Sequence, residues 1–352
     1  MPELRRETLC PAPRQRPLTW APPALVDPLV ITIGPGSHSI GLADGQDCLL
    51  KMPATYDDFA GIGPSNAMVQ IRGGRNVVLI GGHVHIGERP ATTVTAPAGP
   101  ADTTITVAST AGFPSAGQLR IDGEYLVYTG TTPTSFTGCT RDAGFFFTGP
   151  YSSTTHAPGA AVYIDDSFRT GFTFLGQTGT THLEGLLIDG PQLADGLRIL
   201  GAPGSIYQLQ NSRIGPVGGY DEIYASDTHP DCVQIITGPA QLRMDRVSLL
   251  TRSGRGIINQ GSDTSQPLVS ADLRDVELID AGRASQLIRN TDRSTTWSMA
   301  NVWGYPRSPG ASISDDAALA ARVQVAPIGN EPAGFCPAGV PGANYVSPGY
   351  LS

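Results

Sequence analysis

Asp231-Cys232-Val233-Gln234-Ile235 has counterparts in Asp195-Gly196-Leu197-Arg198-Ile199 and Asp47-Cys48-Leu49-Leu50-Lys51. Each begins with an aspartate, follows with a small residue, and then carries alternating apolar positions. In a strand, successive side chains point to opposite sides, so Val233 and Ile235 face an interior and Gln234 faces outward. Looser copies are Val69-Gln70-Ile71, Gly256-Ile257-Ile258 and Gln286-Leu287-Ile288. A second column alternates with this one: NVVLIGG (76–82), GLLIDG (185–190), NSRIGP (211–216), DRVSLLT (245–251), DVELIDA (275–281) and NVWGYP (301–306). Its central residues Ile188, Ile214, Leu249 and Leu278 fall 26, 35 and 29 positions apart. Two alternating columns at this spacing predict an all-β chain, a right-handed parallel β-helix with corners of variable length, in which each coil covers its neighbour's open edge. A β-sandwich of short strands also explains the turn density, but it does not predict recurring columns.

Composition agrees. Of 352 residues, 43 are Gly and 30 Pro while only 15% are charged, which favours turns over long amphipathic helices. The formal net charge of -8 argues against a sequence-independent nucleic-acid binder, which needs a basic surface. Lys51 is the sole lysine; an arginine bias of this kind fits GC-rich coding and weakens any reading of single arginines as recognition residues. The opening MPELRRETLCPAPRQRPLTWAPP has no apolar core of signal-peptide length, so secretion by that route and a membrane span are not expected. Cys10, Cys48, Cys139, Cys232 and Cys336 are scattered without a CxxC pair and read as free thiols of a chain made in a reducing cytoplasm. If Cys48 and Cys232 share a column about three coils apart, roughly 14 Å separates them at the usual strand spacing, too far for a disulfide.

The columns break between 92 and 164. There the strands TITVAS, GQLRID, EYLVYTG, SFTGCT and AAVYI alternate with Gly, Pro and Ser turns, as in a small antiparallel module inserted between coils. The predicted organisation is a Pro-rich arm (1–28), first coils (29–91), the inserted module (92–164), the main β-helix (165–306) and a Pro/Gly-rich arm (307–352). The arms are extended and have no core of their own; Trp20, Phe335, Tyr345 and Tyr350 could anchor them on a neighbour or back on the β-helix itself.

The run TTITVASTAGFPSAGQLRIDGEYLVYTG…SFTGCTR…HAPGAAVY resembles a small β module recurrent in virion proteins of tailed bacteriophages. IRGGRNVVLIGG and HPDCVQI resemble the pectin-lyase-like β-helices of phage minor tail proteins and tailspikes. The resemblance implies a virion protein of the tail that meets the host surface, with other tail or baseplate proteins as partners through the arms and host polysaccharide as ligand. It implies neither nucleic acid nor membrane as partner, and a homotrimer is one arrangement it allows. It does not decide between depolymerase and inert fibre, since the fold carries both.

The longest corner, GPVGGYDEIYASDTHPD (215–231), is where function is expected. Tyr220 and Tyr224 offer flat faces to a sugar ring; His229, Gln234 and Arg198 offer hydrogen bonds to its hydroxyls. Asp221, Glu222, Asp227 and Asp231 are the candidates for acid and base if the protein hydrolyses glycans. A lyase reading would use Asp195 and Asp231 for calcium with Arg198, Arg252 or Arg255 as base, but it lacks a lysine and an Asp-rich strand motif. His83 and His85 share one face of a strand and are weak metal candidates, with no third ligand nearby in sequence. No cofactor is expected. The glycines of IRGGRNVVLIGGH and the asparagines Asn76, Asn211, Asn259, Asn290 and Asn301 read as corner residues. An adhesive tail component is thus the leading reading, with a depolymerase as its rival and a purely structural tail protein as the third.

Overall fold

The left-handed backbone residues locate the bends of the chain. Gly81, Gly185, Asn211, Arg246, Asp275 and Asn301 all have φ between 48° and 71°, and each stands between two short strand segments that stack on the neighbouring coil. One residue in this conformation turns the chain without a loop, at little cost for Gly and tolerably for Asn and Asp. Arg246 is the exception, and its guanidinium Nε donates to Asn211 Oδ1 of the preceding coil at 2.6 Å.

The computed structural model describes residues 17–34, 38–53, 55–57, 67–87, 90–143, 154–164, 170–191, 193–218, 230–261, 266–307, 310–327 and 341–348. They form two units. The first, Met1–Asp58, Ala67–Ile86 and Arg169–Ser352, is a parallel β-helix. Its coil has three faces rather than two columns. Face one stacks Leu29–Thr32, Cys48–Lys51, Val77–Ile80 and Thr180–Glu184, followed by the leading parts of Ile206–Val217, Gln241–Asn259, Ser270–Ala284 and Thr296–Tyr305. Face two lies beyond the left-handed corner and stacks Thr55–Asp57, His83–His85 and Leu187–Asp189 on the continuing long strands. Face three stacks His38–Leu42, Ala67–Gly73, Thr170–Leu175, Asp195–Leu200, Asp231–Thr237, the end of Gln241–Asn259, Gln286–Asn290 and Ser312–Ser314.

Apolar rows fill the interior. Leu50, Leu79, Leu183, Leu209, Met244, Leu273 and Met299 are consecutive register partners on face one. Ile188, Ile214, Leu249 and Leu278 stack on face two as their spacing predicts. Fully burying such a side chain contributes about 1.5–3 kcal/mol, so the rows supply the driving force that fixes the register.

Three expectations need correction. The Asp47-Cys48-Leu49 strand does not share a column with Asp195 and Asp231; it lies on face one, where Cys48 pairs with Val77. The motif misleads because its aspartate does one job on both faces: Asp47 Oδ1 accepts the Asn76 N–H at 3.2 Å, and Asp195 Oδ1 the Asp231 N–H at 2.9 Å. The 14 Å separation inferred for Cys48 and Cys232 therefore has no basis, although both are buried free thiols. Likewise NVVLIGG belongs to face one, whereas the other members of its column belong wholly or mainly to face two. Finally, the coils do not stop at 306: Ser312–Ser314 pairs with Gln286–Asn290, and Gln324–Val325 with Trp303 and Gly304.

The second unit draws its described residues from Gly87–Phe168. Five antiparallel strands run in the order Thr140–Arg141, Glu124–Tyr128, Gly117–Ile121, Ala161–Ile164, Ala91–Thr93, and a three-stranded sheet joins Gly130–Thr132, Ser135–Thr137 and Thr104–Thr106. The Asp122-Gly123 hairpin has positive φ at both residues, the turn that two-residue connections favour. Leu119, Ile121, Leu126, Phe136 and Val162 form a separate core. Among the described residues no helix is long and apolar enough to cross a membrane.

Candidate functional site

Face three begins at a polar patch shared by neighbouring coils. Arg198 donates from Nε to Gln234 Oε1 at 2.9 Å and from Nη2 to Asp195 Oδ2 at 3.1 Å. Asp195 in turn accepts the Asp231 N–H. Arg255 is the register partner of Asp231, with Nη1 3.7 Å from its Oδ1. Of the residues that the sequence groups here, the structure brings Arg198, Gln234, Asp195, Asp231 and Arg255 together. Most of the patch is buried: Gln234 is 4% exposed and Asp231 is fully buried, while the Arg198 side chain keeps 21% exposure. Neither Asp231 oxygen has a hydrogen-bond partner among the described residues. Burial, reinforced by the Asp195 charge and only partly opposed by Arg255, pushes its carboxyl well above the usual range. A second carboxyl, that of Asp195, lies beside it. Tyr220, Asp221, Glu222, Tyr224, Asp227 and His229 lie outside the described residues.

Cys232 is a buried free thiol. It occupies an inward corner position also held by Gly196, where an added Cβ would meet Ile214 Cγ2 at 2.2 Å and the Cys232 carbonyl oxygen at 2.4 Å. Its thiol donates to the Leu250 carbonyl at 3.0 Å, and burial raises its pKa far from the reactive range.

On face two, His83 Nε2 and His85 Nδ1 both reach Asp189 Oδ1, at 2.9 and 2.7 Å. Thr55 Oγ1 lies 3.0 Å from His83 Nδ1. All three principal side chains are partly exposed, by 20, 35 and 29%. Burial of Asp189 opposes its charge, yet its hydrogen bonds to the two histidines hold its pKa below the ordinary value. Sequence reasoning found the two histidines and missed Asp189. The signal was there: with GLLIDG stacked on HVH rather than on NVVLIGG, Asp189 falls beside His85.

Face one is covered by the chain's own ends. Gln210 Oε1 accepts the backbone N–H of Thr19 and Trp20 at 3.1 and 3.2 Å, and Thr19 Oγ1 donates to Asp245 Oδ2 at 2.7 Å. The guanidinium groups of Arg243 and Arg274 lie over the Trp20 ring, 5.8 and 5.1 Å from its centroid. Tyr345 donates to Glu184 Oε1 at 2.6 Å and accepts from Asn211 Nδ2 at 2.7 Å. Its ring packs where a Cβ on Gly185 would sit, 2.1 Å from its Cγ, so this corner admits only glycine. The described stretches of both arms therefore fold back on their own β-helix.

The first unit defines the class of protein: a parallel β-helix whose coils carry an inserted antiparallel β unit. No family model matches the chain, and no curated protein matches it. Among solved structures, the tailspike protein gp49 from Pseudomonas phage LKA1 is similar over 79% of this chain at 11% identity and a TM-score of 0.21. The Gp54 tailspike of Acinetobacter baumannii bacteriophage AP22, solved in complex with A. baumannii capsular saccharide, is similar over 86% at 10% identity and a TM-score of 0.18. The matches cover 55% and 69% of those chains, respectively.

Proposed function

We propose that the chain is a structural and adhesive component of a bacteriophage tail whose third face contacts host cell-surface glycans. The virion setting rests on the sequence resemblance of the inserted module and the coils. The observation that supports glycan contact is the patch of Arg198, Gln234, Asp195 and Arg255, which lies at the coil edge where the 215–231 connection rejoins the strands. Rigid strands there present the partly exposed Arg198 guanidinium, held in place by Gln234 and Asp195, a group that recognises sugar hydroxyls or carboxylates. The long connection next to them supplies tyrosines and further acids. The arms would also supply the contacts to other tail proteins.

The test is retention of the purified full-length chain on immobilised host-envelope polysaccharide, with reducing ends and unsaturated products assayed in parallel. Retention without product, weakened about tenfold by Arg198→Ala, is expected. No retention by folded protein that still enters tails would establish the purely structural reading. The buried Asp231, with neither oxygen hydrogen-bonded and Asp195 beside it, supports a second reading, a depolymerase in which one acid of the set Asp221, Glu222, Asp227 and Asp231 protonates the leaving group. New reducing ends, lost in Asp231→Asn, would establish it.

A further inference from the structure

We propose that His83, His85 and Asp189 form a binding site for a divalent first-row transition-metal ion of the Zn²⁺ type, which staples two successive coils together. The inference is independent of the glycan reading. Side chains two apart on a strand project to the same side, so His83 and His85 converge, with ring centroids 5.9 Å apart in an edge-on arrangement. Asp189 is the register partner of His85 on the next coil. One ligand atom from each residue lies within 4.8 Å of the other two.

Two imidazoles and a carboxylate suit Zn²⁺ and its neighbours, whereas Ca²⁺ and Mg²⁺ require mainly oxygen. Tetrahedral bonds of about 2.0–2.1 Å place donor atoms about 3.3 Å apart. The two ring nitrogens stand 2.7 and 2.9 Å from Asp189 Oδ1, so small side-chain rotations open the triangle to that size. Partial exposure leaves the outer coordination position to water. Thr55 completes the arrangement: with Nε2 on the metal, His83 Nδ1–H donates to the Thr55 hydroxyl, the outer hydrogen bond that fixes a liganding imidazole.

The position in the chain gives the site a purpose. The β-helix is interrupted after Ile86 and resumes at Arg169. His83 and His85 precede that excursion and Asp189 follows it, so a bound ion cross-links the coils on either side. Binding only the folded chain, it also stabilises it.

The experiment uses chelator-stripped full-length protein. Zn²⁺ is expected to bind with one equivalent and to raise Tm by about 5 °C at a hundredfold excess over Kd. Co²⁺ should develop the visible bands of a low-coordinate site. The His83→Gln/His85→Gln double variant should lose both responses, and Asp189→Asn should weaken binding at least tenfold. The wild-type Co²⁺ titration decides the matter even if a variant misfolds: absence of the bands overturns the proposal. So does a Zn²⁺ response that survives in a folded double variant.

Discussion

Asp47 shows how one side chain can hold a corner. The Arg75 guanidinium donates to it at 2.8 and 2.7 Å, and the N–H groups of Val26 and Asn76 add to the charge-stabilising set. Against the cost of burial, chiefly the Arg75 bonds hold its pKa at about 2, below the ordinary 3.8. Because the folded value is the lower one, Asp47 contributes stability that is complete above about pH 4 and disappears as pH falls through 2. Arg75 is 43% exposed, so solvent screening reduces the contribution to about 1–2 kcal/mol. Asp47→Asn should therefore be less stable than wild type at pH 7, and the difference should close between pH 4 and 2. Urea midpoints at pH 7, 4 and 2.5 measure it; a difference that stays constant would show that the carboxylate charge is irrelevant to the corner.

At the scale of the strand and its corners, sequence and structure agree where the signal is a side-chain period and part where it is a backbone angle. Ile188, Ile214, Leu249 and Leu278 are apolar, evenly recurring and in register, so their row is legible without coordinates. The division between faces one and two is not, because a single left-handed residue makes the bend and only two of the six, Gly81 and Gly185, are glycines. Arg246 carries no turn signal and Asp275 only a weak one, so two faces read as one strand. The same merging hid Asp189 from His85 and left the metal triad as a pair of histidines. The corner before face three is stricter. At Gly196 a side chain would meet Ile214 and a carbonyl oxygen of the next coil, and backbone cannot yield as a side-chain tip can. Gly196→Val should destabilise the chain by about 3 kcal/mol through overpacking, read as a lower urea midpoint. Gly204 has open space around its Cβ position but a φ of 82°, so Gly204→Asn offers a milder control. Equal losses at the two sites would refute the packing argument.

Over the whole β-helix, the turns differ in tolerance by corner. Face one passes to face two through one to three residues, whereas the two longest excursions begin between faces two and three. The inserted unit leaves there after Ile86, and the stretch 219–230 leaves there after Gly218. The next coil makes the same passage with only GPQLA, residues 190–194. His85 is the register partner of Asp189, and Thr170 that of Asp195, so the long and short connections span equivalent points one coil apart. Gly190 even packs on Ile86, its Cβ position 2.2 Å from the Ile86 carbonyl oxygen. Replacing residues 87–169 by PQLA should therefore close the coil without strain. Because the inserted unit has its own core, its removal takes no residue from the stacked rows of the β-helix. The shortened chain should unfold cooperatively, keep a parallel-sheet far-UV spectrum, and still respond to Zn²⁺ through His83, His85 and Asp189. Insoluble or molten protein would show that the insertion supports the coils rather than riding on them. A folded product would make this corner the place where a β-helix accepts new binding modules without altering its core.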